Sequence, residues 1–215
     1  MKTYSIILAL SITLFLFVSC EDNFHDTGKA NGVFNGTIWE YLNSDPKNYS
    51  DLVILIQHAG LEPLLDGKVS DNPELTFFAP TNFSIYQFLF KTVDNENNRI
   101  YQSVSDIPVE MAREMILSYI IPGRRMRESF NYEIKGTNEG GSLCTTLTNL
   151  ELRVYRIHGD FYDVPDIGAD ILAIHFIQTG FKSSIASSDH QTDNGIVHSL
   201  DYDFLLVNPV VHLNE

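Results

Sequence analysis

Seven histidines, two cysteines, one acidic stretch and one arginine cluster carry the reactive side chains of this 215-residue chain. The histidines stand at 25, 58, 158, 175, 190, 198 and 212. They form no His-x-x-x-His pair and no Cys–His cluster, so the spacing for a zinc site is missing and no metal is expected. Asp160, Asp163, Asp166 and Asp170 fall in one loop-like stretch. Carboxylates there can hold Ca²⁺, but the spacing matches no calcium loop, and a solvated acidic loop is the simpler account. Two of them about 5–10 Å apart in a cleft would be able to run a hydrolysis. Arg124, Arg125 and Arg127 are the only basic cluster. They can grip a carboxylated or sulfated ligand, or sit in a solvated hairpin paired with Glu128 and Glu133. Cys144, in the alternating run Leu143–Leu147, is expected as a small, buried, unpaired hydrophobe rather than a nucleophile. There is no Gly-x-Ser-x-Gly and no phosphate loop, and Gly140-Gly141-Ser142 reads as a hairpin turn. No catalytic signature emerges.

The elements that would position these residues fall in two halves. Thr37 can cap a short helix, Ile38–Leu42, that stops before Pro46. A second helix starts near Asn48 or Ser50, carries Leu52, Val53, Leu55, Ile56 and Ala59 as its apolar stripe, and ends at Gly60. Leu75–Ala79 reads as a buried strand stopped by Pro80. Thr81 or Asn82 then caps a helix with apolar positions Phe83, Ile85, Tyr86, Phe88 and Leu89. Pro108 suits the first turn of a helix through Met111, Met115, Ile116 and Leu117. After Pro122-Gly123 the period shortens to that of strands: Tyr132–Lys135, Leu143–Leu147, Leu150–Ile157, Ile171–Ile177, Ser184–Ala186, Gly195–Leu200 and Phe204–Val207. Helices first and strands later predict an α+β domain, without internal repeat or second domain.

Composition bounds the partners. Lys+Arg 14 against Asp+Glu 28 gives −14, which repels phosphate backbones and excludes a nucleic-acid partner. Aromatic residues make up 12%, which matters because sugars stack on ring faces; Trp39, Tyr41, Tyr101, Tyr155 and Tyr162 are the ones whose local pattern permits exposure.

Lys2 is the sole charge before residue 21, and Tyr4–Val18 is an apolar run broken only by Ser5, Ser11 and Thr13. That run is shorter than the roughly 20 residues of a membrane-spanning helix and fits a signal-peptide core. It ends in Phe17-Val18-Ser19-Cys20, which resembles a bacterial lipobox, with Phe17 where Leu is usual and Leu16 beside it. The resemblance implies a signal peptide over 1–19, a lipidated Cys20 and a membrane as partner through that lipid. Residues 20–36 then form a flexible, glycine-containing tether. Glu21-Asp22 resembles the acidic signal that sends some lipoproteins to the outer face of the outer membrane.

Two segments carry a second resemblance. Thr76-Phe77-Phe78-Ala79-Pro80-Thr81-Asn82, after Leu75, resembles the first signature of the fasciclin (FAS1) family, and Asn194-Gly195-Ile196-Val197-His198-Ser199-Leu200-Asp201 is similar to the second. Asn194-Gly195 is expected to make a tight turn with positive φ, and His198 to be a hydrogen-bonded core or edge histidine. Where the family carries a Tyr-His pair, this chain has Ser118-Tyr119, so integrin-type recognition is not carried over. The resemblance implies a wedge-shaped β-sandwich with helices from the N-terminal half packed on it, over residues 37–208, with 209–215 as a tail. It also implies an extracellular adhesion module that needs no cofactor and is no enzyme. The expected ligand is a protein or glycan at the cell surface, with Arg124, Arg125, Arg127 and Tyr119 as candidate contacts. A surface glycan-binding accessory in polysaccharide capture is the alternative, and a hydrolase using residues 160–170 the remote one. Aromatics exposed in a row favour sugar, and a flat apolar patch favours protein.

Overall fold

A computed structural model describes residues 32–206, apart from 72, 163, 203 and 205. The expected signal peptide, Cys20, most of the tether, Asp163 and the 209–215 tail lie outside the described residues. Helix α1 (Ile38–Ser44) begins as the sequence asks: the Thr37 hydroxyl accepts from Glu40 N while Thr37 N donates to the Glu40 carboxylate. Helix α2 (Pro46–His58) starts earlier than expected because Pro46 occupies its first turn, where a missing N–H costs nothing. Its buried face is Tyr49, Leu52, Leu55 and Ile56. A short α3 (Glu62–Leu65) follows, then strand β1 (Leu75–Ala79), buried along its whole length. Helices α4 (Asn82–Lys91) and α5 (Val109–Leu117) pack on α2.

The strands are β2 (Ile120–Pro122), β3 (Ser142–Thr145), β4 (Glu151–His158), β5 (Asp170–Phe176), β6 (Lys182–Thr192) and β7 (Gly195–Leu200). Among the described residues they form one order, β2-β1-β7-β6-β5-β4-β3, antiparallel except for the parallel pair β1–β7. The fold is α+β, with the helices in the N-terminal half. Strand β6 is far longer than the expected Ser184–Ala186, since its serines give no apolar alternation to read. One end pairs with β5 and the other with β7, with register shifts between Ile185 and His190. Bulges of this kind bend a strand and sharpen its twist. The sheet curls until Leu147, just past β3, donates to Ile120 O of β2 at 2.9 Å. The two edges therefore shield each other.

Three expected elements come out differently. Tyr132–Lys135 makes only isolated bridges, to Arg156 and Gly140. Phe204 and Leu206 are buried but lie in no strand. The end of the expected tether is docked: Phe34 N donates to Gln191 O and Gln191 N to Gly32 O, so residues 32–36 run along β6.

Candidate functional site

Both signatures are built into the interior. Phe77, Phe78, Ala79, Thr76 and Val197 are fully buried, with β1 and β7 side by side. The Thr76 hydroxyl donates to Gly123 O at 2.7 Å and accepts from Arg125 N at 2.9 Å, which fixes the turn after β2. Neither Asn194 nor Gly195 has a positive φ, contrary to expectation. Gly195 is needed for close approach instead: a Cβ there would collide with Leu75 O and stand 2.8 Å from the Ile38 side chain. Asn194 accepts from Ile38 N at 2.8 Å, an otherwise unpaired donor at the start of α1, and donates to Leu65 O at 2.9 Å at the end of α3. Asp201 accepts from the Ser184 hydroxyl at 2.6 Å and from Tyr202 N at 2.7 Å.

His198 has no exposed surface. Its Nδ1 accepts from Asp189 N at 3.2 Å, so the proton sits on Nε2, which donates to Arg125 O at 3.0 Å. The ring stacks on Phe78 at 5.4 Å. Burial pushes its pKa down to about 4, so it is neutral at physiological pH and ties β7 to the β6 bulge and to the 124–130 segment.

Asn82 does not cap its own helix. Its Oδ1 accepts from Asp51 N at 2.8 Å, and its Nδ2 donates to Pro46 O and Lys47 O, both at 3.1 Å, and to the Ser50 hydroxyl at 3.0 Å. It therefore fastens the first two turns of α2 to the start of α4. Pro80 and Thr81 form the sharp exit from β1, with Thr81 at the N-cap but making no side-chain cap bond.

The arginines are tied inward rather than to Glu128 and Glu133. Arg124 donates to Thr192 O and Gly195 O at the β6–β7 turn and pairs with Glu74 at 3.5 Å. Arg125 donates to Ser129 and lies over the Phe130 ring at 4.7 Å. Arg127 N donates to the Asp189 carboxylate, which also faces the Arg127 guanidinium at 3.8 Å. Tyr119 is no surface contact. It is fully buried, edge-on to Phe176 and Phe204, because the curl of the sheet places it in the core.

The described carboxylates of the acidic stretch, Asp160, Asp166 and Asp170, are similarly occupied. Lys135 Nζ reaches Asp160 at 2.9 Å and Asp166 at 3.1 Å. Asp170 meets Arg156, accepts from the Tyr132 hydroxyl at 2.8 Å and faces His158 at 2.9 Å. Lys135 holds the Asp160 carboxyl, and Arg156 the Asp170 carboxyl, below the usual carboxylate range. A general acid needs the opposite shift. Cys144 is half-buried rather than buried, and burial pushes its thiol pKa up, away from nucleophilic character.

Among the described residues, a column of aromatic rings lies at the surface. Tyr202 stacks on Phe83 with centroids 4.4 Å apart and planes 5° from parallel. Phe83 is followed by Tyr86 at 6.2 Å and Tyr86 by Phe90 at 6.0 Å. Tyr86, Phe90 and Tyr202 are 53%, 56% and 62% exposed. A groove at the head of the column is lined by Lys47, Asn48, Asp51, Asn82, Phe83 and Tyr202. The sequence pattern does not separate this face, because Phe83 and Tyr86 stand among the same apolar positions as Ile85, Phe88 and Leu89. The available signal was a helix apolar on both sides, which one core cannot cover. Of the aromatics whose pattern permitted exposure, Tyr162 is 86% exposed and Tyr155 is buried; Trp39, Tyr41 and Tyr101 are half-buried.

Residues 47–205 match the family model for the fasciclin domain. Among solved structures the chain is similar to a FAS1 domain pair from the insect cell adhesion molecule fasciclin I, with 16% identity and a TM-score of 0.43. The match covers 80% of this chain and 45% of that one, so the chain spans less than half the length of the structure it matches. No curated protein matches. The family match takes in 159 of the 215 residues and both signatures, and the chain belongs to the fasciclin-domain family.

Proposed function

We propose that this chain is a non-enzymatic binding and adhesion module, held by a lipid on Cys20 at the outer face of a bacterial outer membrane, and that it meets its ligand through the aromatic face of α4. Membership of the fasciclin-domain family supports the adhesion class. The observation that carries the binding face is the ring column: three aromatic side chains, each more than half exposed and in register on one side of the domain. Scattered apolar residues need no explanation on a surface, but a contiguous aromatic patch marks an interaction site. Among the described residues, Asp160, Asp166 and Asp170 are engaged in ion pairs, which argues against hydrolysis by these carboxylates.

The lipobox-like Phe17–Cys20 supports the anchor, and several acyl chains at about 0.8 kcal/mol per buried methylene hold a protein on a membrane almost permanently. Among the described residues no helix is long and apolar enough to cross a membrane. Cells expressing wild type and Cys20→Ser are fractionated and probed with an antibody from outside. The wild type is expected in the membrane fraction, acylated by mass spectrometry and reached by antibody on intact cells, with Cys20→Ser released or unprocessed. A Cys20→Ser protein that still carries acyl chains and sediments with membranes would contradict the anchor.

A further inference from the structure

We infer that the groove at the head of the ring column takes a neutral saccharide, an inference that rests on the α4 face being the binding face. A pyranose ring has an apolar C–H face and a rim of hydroxyls, so its site must offer a flat apolar surface beside a few polar groups of both hydrogen-bonding senses. The groove has both. Its flat surface is Tyr202 and Phe83, whose near-parallel stack at 4.4 Å holds the Tyr202 ring in place while leaving it 62% exposed. Asp201 accepting from Tyr202 N fixes the backbone beneath that ring.

The polar rim is Lys47, Asn48 and Asp51. Lys47 and Asp51 stand one helical turn apart on α2, and neither side chain carries an ion pair among the described residues. An ammonium donates to hydroxyl oxygens and a carboxylate accepts from hydroxyl hydrogens. One cation and one anion leave the groove with no net charge, on a chain of net charge −14. That balance complements an uncharged polyhydroxyl ligand, and it offers an acidic glycan no net attraction while the rest of the surface repels it. An apolar protein side chain would leave Lys47 and Asp51 desolvated and unpaired, which is costly.

The groove is also preorganised. The Asn82 side chain makes four bonds to the first two turns of α2 and so holds the polar rim at a set distance from the rings. Little ordering is left for the ligand to impose.

The test titrates the full acylated chain in detergent, by calorimetry, with hexaoses of glucose, mannose and xylose and with hexagalacturonate as the charged comparator. Saturable binding of at least one neutral hexaose is expected. Tyr202→Ala and Lys47→Ala should each weaken it by about tenfold, the scale of one lost ring or polar contact, with the melting temperature unchanged. Tyr162→Ala, at an exposed ring elsewhere, should leave it unaltered. Tighter binding of the uronate than of every neutral hexaose overturns the inference, as does neutral binding insensitive to Tyr202→Ala. If no neutral hexaose binds while Tyr86→Ser with Phe90→Ser still abolishes adhesion, the inference fails and the α4 face stands as a protein-binding surface. If adhesion survives those substitutions as well, the binding face itself is wrong.

Discussion

His198 is the residue where burial and chemistry meet most plainly. Its folded pKa, pushed down to about 4 by burial, lies below the ordinary value of 6.5. Between those two values the unfolded chain binds a proton that the folded chain refuses. The stability contribution is complete above pH 6.5 and is lost as pH falls toward 4, by about 3 kcal/mol at the most. Asp189, Arg127 and His190 face the ring, and burial lowers the His190 pKa too, so the test is a difference. The wild-type melting temperature should fall through that window, and His198→Gln should flatten the fall while lowering stability at neutral pH. Equal slopes would mean that His198 is not the group responsible. Arg124 gives a second prediction at this scale. A solvated arginine can be removed freely, but this one satisfies Thr192 O and Gly195 O, and hydrogen bonds to a charged group contribute about 1.5–3 kcal/mol. Arg124→Ala should therefore destabilise by about that amount in chemical denaturation, and Arg125→Ala, which removes a side chain bonded to Ser129 and stacked on Phe130 but keeps the backbone bonds, by less. The sequence marked Asn194, His198 and Arg124 as worth noticing. Their partners lie too far along the chain for spacing to reveal, such as Ile38 for Asn194 and Thr192 for Arg124.

At the scale of elements, legibility follows how local the cause is. The Thr37–Glu40 capping box, the buried β1 and the strand β7 are each written in a few adjacent residues. Helix α4 is legible as a helix but not in its orientation. Phe83, Tyr86 and Phe90 recur at helical spacing, as do Ile85, Phe88 and Leu89, and only the tertiary fold decides which stripe meets the core. Strand β6 fails for a different reason. Its middle, Ser187-Ser188-Asp189, carries the register shifts and the positive φ of Asp189, so polar residues stand where alternation would be sought. Asn82 shows the same limit, since a residue in capping position bonds into the body of a neighbouring helix instead. Two elements thus meet through one side chain, and the groove beside it is a product of packing that no single segment encodes.

At the scale of the molecule, the domain divides its labour. The two signatures hold β1, β7 and the helix ends together, while the exposed rings of α4 face outward beside them. A net charge of −14 repels phosphate backbones, and in the proposed reading short-range stacking rather than long-range attraction recognises the ligand. The most direct measurement pairs adhesion with thermal melting on two sets of variants, at matched surface amounts on cells. Tyr86→Ser with Phe90→Ser should abolish adhesion and change stability by no more than about 0.5 kcal/mol, as exposed substitutions do. Ile85→Ala, on the opposite side of the same helix, should cost about 2–5 kcal/mol, and whatever protein stays folded should adhere as wild type does. Undiminished adhesion by the ring variants, or lost adhesion by folded Ile85→Ala, would contradict the assignment of binding to the outer face of α4.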